Sequence, residues 1–163
     1  MARQHGFTYL GLLFAIAFIG LLMASAGQVW KTVAQREREE DLLFIGQQFS
    51  QAISAYRMAT PGEPKQWPRS LEDLVEDKRW PVPRRHLRKL FVDPIVGKKQ
   101  WGLVKVGEEI TGVYSLGEGK PIKQNNFPPG MDSLAGAKTY QEWRFVAPND
   151  IGGDPEQDGD AGR

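Results

Sequence analysis

Between Lys78 and Lys99 the chain concentrates positive charge: Lys78, Arg79, Arg84, Arg85, Arg88, Lys89, Lys98 and Lys99, with Trp80 and Trp101 close by. Cations interleaved with aromatic faces can grip phosphates or stack the bases of single-stranded nucleic acid. Arg84, Arg85, Arg88 and Lys89 form the densest part and define a candidate nucleic-acid or partner face. Balancing acids, Glu72, Asp73, Glu76 and Asp77, lie just upstream, and the whole chain has a formal net charge of only +1. So balanced a run reads first as a solvated or subunit-contacting face, and nucleic acid is not the expected partner.

Catalysis is poorly supplied. His5 and His86 are the only histidines, and there is no cysteine. His86 could act as a base, but no nucleophile or acid stands at a recognisable spacing from it, so a structural role and no enzyme activity are expected. Asp93 before Pro94 predicts an Asx-type turn. Gly117-Glu-Gly119 lacks both the glycine spacing and the Lys-Ser/Thr of a phosphate loop. Asp150, Asp154, Asp158 and Asp160 offer oxygen ligands for a hard cation such as calcium. Their segment is rich in Gly and Asp with almost no apolar content, so 147–163 reads as a disordered acidic tail. No cofactor and no metal site are assigned.

The elements that must position these residues follow from the apolar pattern. The 163 residues suit one small ordered domain plus a membrane helix. From Phe7 to about Met58 no proline interrupts the chain, so one long helix can run through. Leu42, Ile45, Phe49, Ala52, Ile53 and Tyr56 recur at spacings of three and four and form an apolar stripe for a core. Arg36 to Asp41 alternates charge and reads as a solvated collar. Thr60-Pro-Gly-Glu-Pro64 ends the helix. Ser70-Leu-Glu-Asp73 offers a cap for a short helix over 70–79, stopped by Pro81 and Pro83. Gln100–Val106 and Ile110–Leu116 alternate as a β-hairpin, and Tyr140–Val146 as a third strand. The expected fold is α+β, a long helix on a small antiparallel sheet.

The N-terminus sets the compartment. After Met1-Ala-Arg-Gln-His-Gly6, an apolar run begins at Phe7, and no charge appears until Lys31. Such a run is long enough to cross a bilayer as a helix, over 7–30. Ala24-Ser25-Ala26 would fit a signal-peptidase site, releasing a periplasmic domain cut after Ala26. An uncut signal anchor is a second reading. Lys/Arg counts do not fix orientation, because Arg3 on one side faces Lys31, Arg36 and Arg38 on the other.

The junction Gly6-Phe7-Thr8, with its unbroken apolar run, resembles the leader of type IV prepilins and pseudopilins. Further along, Ala55-Tyr56, Trp67-Pro68, Ser70-Leu-Glu-Asp-Leu74, Leu90-Phe-Val-Asp-Pro94 and Trp101 resemble the middle of major pseudopilins of the type II secretion system. The resemblance reaches from Gly6 to about Trp101. It implies a 1–6 leader removed by prepilin peptidase between Gly6 and Phe7, and methylation of Phe7. A 7–30 transmembrane helix and a 31–146 periplasmic domain with a type IV pilin-like fold would follow. The implied localisation is the bacterial inner membrane, single-pass. The implied partners are other pilins or pseudopilins in a filament, the assembly platform and the lipid bilayer. A DNA-binding minor pilin of an uptake machine is the alternative within this resemblance. At the fifth mature position the family carries Glu, which pairs with a neighbour's N-terminal amine; here that position is Gly11. The missing Glu points to a minor, tip-type subunit, whereas the middle of the chain resembles the major type. The calcium loop of the major type has no placeable ligands here.

Overall fold

The computed structural model describes residues 5–148, and the side chains of 5–8 and 22–29 are outside that description. Helix α1 runs His5–Met58 without a break, about 80 Å at 1.5 Å per residue. Its end falls where the proline-free stretch stops. Thr60 is buried, and its amide N–H donates to the Arg57 carbonyl at 3.1 Å. Beyond it, α2 covers only Glu72–Val75, and a sheet follows of β1 Gly102–Val106, β2 Glu109–Tyr114 and β3 Arg144–Val146. Strand order is β1-β2-β3, antiparallel throughout. Lys105 pairs with Ile110 and Leu103 with Val113, with a bulge between Val104 and Lys105. The α+β expectation of a long helix on a small antiparallel sheet therefore holds.

The two halves of α1 have opposite surroundings. Leu42, Phe49, Ala52, Ile53 and Tyr56 are buried in the domain core, each large side chain contributing about 2 kcal/mol by leaving water. From Tyr9 to Leu21 the large apolar side chains are exposed, Phe14 and Phe18 among them, as is Trp30. Among the described residues no helix is long and apolar enough to cross a membrane. The stretch expected to do so, 7–30, includes positions whose side chains are not described.

The hairpin strands are one or two residues shorter than their patterns suggest, with β1 starting at Gly102 and β2 ending at Tyr114, and two further elements are shortened more. The 70–79 helix stops after Val75: Glu76 leaves helical geometry at φ −142 and ψ 87. Asp77 then pairs with Arg84 as an isolated antiparallel bridge. The helix also starts later, at Glu72 with Leu71 before it, while Ser70 and Asp73 exchange hydrogen bonds of 2.9 and 3.3 Å ahead of it. The third strand covers only its last three residues, because Tyr140–Glu142 forms a 3₁₀ turn. Tyr140 is drawn toward α1 there instead of lying along β2. Residues 149–163, the greater part of the expected acidic tail, lie outside the described residues; Ala147 is buried, its amide N–H bonded to Thr111.

The core holds two aromatic clusters. Phe49 meets Trp101 at 5.1 Å and Phe91 at 6.2 Å between ring centroids. Trp143 meets Tyr140 and Phe127 edge-on. Gly46 lets β3 come close: a Cβ there would overlap the Phe145 ring. This glycine is selected by contact, not by backbone freedom.

Candidate functional site

The basic stretch is split by the fold into an inward staple and an outward face. Arg79 belongs to the staple. Its guanidinium holds both oxygens of Asp77 at 2.8 and 2.7 Å. It also donates to Thr60 Oγ1 at 2.7 Å and to the Tyr56 carbonyl at 2.9 Å. Since Tyr56 lies in the last turn of α1, Arg79 satisfies a carbonyl left open at a helix end. The guanidinium also stacks 3.5 Å over the Tyr56 ring. His86 Nε2 lies 3.0 Å from the same carboxylate, and its ring meets Tyr56 edge-on. Asp77 is fully buried. Its carboxyl is held far below the usual carboxylate range, first by the Arg79 hydrogen bond, against the opposing effect of burial, with His86 adding to the lowering. Asp77 correspondingly raises Arg79. His86 thus serves a structural cluster.

The outward face is Arg84, Arg85, Arg88 and Lys89, all exposed. Arg84 stacks 3.7 Å over Trp80. Arg85, Arg88, Lys89 and Lys99 instead line a groove of about 830 Å³ together with the apolar Val75, Leu90, Phe91 and Val92 and the acidic Glu72 and Glu76. Trp101 is not available to bases: it is buried in the core, and its Nε1 donates to the Phe91 carbonyl at 2.9 Å. The expected four-cation face is therefore three groove residues plus one arginine committed to a tryptophan.

Two anchors were not visible as such. Glu39, inside the expected solvated collar, is 1% exposed. The collar reading fails at this residue. Its carboxylate accepts from Ile122 N–H at 2.7 Å, Lys123 N–H at 2.9 Å and Tyr140 O–H at 2.7 Å. Burial, then the bond to Glu39, pushes the Tyr140 phenol up to about 12. Its signal was present: Glu39 stands three residues before Leu42 and so continues the buried stripe. Asp93 does more than turn the chain. Oδ1 accepts from Ile95 and Val96 N–H, as an Asx turn requires. Oδ2 accepts from Ser115 O–H at 2.7 Å and from Leu116 N–H, which ties the turn to the end of β2.

At the N-terminus, Gly6 and Phe7 fall within α1. Gly11 has nothing within 4 Å of where a Cβ would stand among the described residues, so its small size serves no contact with them. Among the described residues no group of three His, Asp or Glu is placed to hold a metal ion, and Asp150, Asp154, Asp158 and Asp160 lie outside them. Compared with protein-family models, curated proteins and solved structures, the chain matches none.

Proposed function

We propose that this chain is a pseudopilin-like structural subunit, processed between Gly6 and Phe7 and assembled through α1 into a type II secretion or type IV pilus-like filament. The observation that carries the reading is the division of α1. One unbroken helix buries Leu42 to Tyr56 in its own domain, while the large apolar side chains from Tyr9 to Leu21 are exposed. Apolar side chains left bare over several turns need lipid or other helices around them. A helix that first sits in a bilayer and later packs among copies of itself meets both needs. Moving from lipid to helix neighbours rests on close packing, which small residues such as Gly11 and Gly20 favour. Both have open space at the Cβ position. The outer domain would then face the periplasm and select neighbours. Without Glu at position 11, the subunit lacks the usual carboxylate for a neighbour's amine, which suits a place at the filament tip.

The processing step is tested by replacing Gly6. A G6V chain, expressed with prepilin peptidase, is expected to keep its leader, seen as a mass unchanged from the precursor. Normal shortening of G6V would contradict the proposal.

A further inference from the structure

We propose that the groove lined by Arg85, Arg88, Lys89 and Lys99 is the seat of this chain's own acidic C-terminal segment, 149–163. The groove has two properties that a partner must match. Its cations are uncommitted: among the described residues Arg85, Arg88 and Lys99 make no ion pair, and Lys89 only rests 5.4 Å from the Phe91 ring. Part of its lining is apolar, from Val75, Leu90, Phe91 and the exposed Val92. The complementary ligand is an acidic peptide with one apolar side chain to set against those residues.

Segment 149–163 has that composition. It carries Asp150, Asp154, Glu156, Asp158 and Asp160 against Arg163 alone, with Ile151 as its one large apolar residue. The chain as a whole is +1, so the rest of it is distinctly basic, and the acidic segment supplies the charge that balances it. Glu72 and Glu76 line the same groove, and Glu76 lies 3.9 Å from Lys78, which softens its repulsion of an incoming carboxylate. Extended, the segment spans roughly 50 Å, more than the roughly 35 Å width of a domain this size. It can therefore reach the groove of its own copy, where tethering gives it a millimolar-range effective concentration. Seated, it would cover the cations against nucleic acid and other polyanions.

Zero-length carbodiimide cross-linking of the full chain in detergent, read by mass spectrometry, tests this directly. Amide links are expected from Asp154, Glu156 and Asp158 to Lys89 and Lys99, in excess over Lys105 and Lys138. They should fall about tenfold in an R85E/R88E chain, whose altered side chains are exposed, and similarly in about 0.5 M NaCl. Equal linking to Lys105 and Lys138, or links unchanged by charge reversal, would overturn the proposal. So would links found only between copies in a mixture of light and heavy isotope-labelled protein. Single-stranded DNA bound equally well by the full chain and by a chain ending at Pro148 would also overturn it, by showing the groove uncovered.

Discussion

Glu39 shows how one carboxylate can fix the geometry between a helix and a loop. Four donors converge on it, two of them backbone amides of Ile122 and Lys123, with the Tyr140 hydroxyl and, at 3.4 Å, Gln35 Nε2. Water cannot replace it at a buried site, so Glu39→Ala leaves buried donors unmatched, at a cost of roughly 3 kcal/mol. Glu39→Gln, which keeps one acceptor oxygen, should lose less. Chemical denaturation of both variants measures the difference; equal stability of E39A and the parent would refute the anchor. Asp77 makes a prediction in pH. Its folded pKa is depressed by Arg79 and His86, so the folded state holds the charged form more strongly than the unfolded chain does. The stabilisation is whole above pH of about 4, near the unfolded carboxylate value, and is lost as pH falls toward the lower folded value. The stability gap between parent and Asp77→Asn should therefore be widest near neutrality and close in acid. A gap that widens as pH falls would contradict this.

Helix α1 and β3 meet at Gly46, which gives a test with a diagnostic sign. In an open helix, Gly→Ala stabilises by up to about 1 kcal/mol. Here the new Cβ would overlap the Phe145 ring, and overpacking costs about 1–3 kcal/mol. Gly46→Ala should lower the melting temperature; an increase would mean that β3 does not pack there. At this scale the sequence was legible where local signals agree with packing. Thr60-Pro-Gly ends α1 near Met58 because backbone and proline sterics act without help from the core. The hairpin around Gly107 follows from alternation and a positive-φ glycine at 62°. Tertiary partners overrode local pattern elsewhere. Asp77 lies past the end of α2, binding Arg79 and pairing with Arg84, so the helix is less than half as long as Ser70 to Arg79 suggests. Tyr140 turns to reach Glu39, which shortens β3. Of the candidate site, the cations were legible as a cluster. Their division was not, because Arg79's commitment to Asp77, Thr60 and Tyr56 depends on chain separated by 19 to 23 residues in two of those bonds.

Across the whole molecule, one long helix serves two environments. Its C-terminal half is core, held by Glu39, the Asp77–Arg79 staple and the Phe49–Trp101 cluster. Toward the other end, exposed apolar side chains from Tyr9 to Leu21 ask for lipid or for other helices. The proposal of a filament subunit rests on that division, together with the Gly6-Phe7 junction. The mature N-terminus tests it most directly: the intact mass and N-terminal sequence of the protein recovered from a bacterial membrane. The account predicts a chain beginning at Phe7 and heavier by one methyl group. A chain beginning at Gly27, or one still carrying Met1 where prepilin peptidase is active, would contradict it.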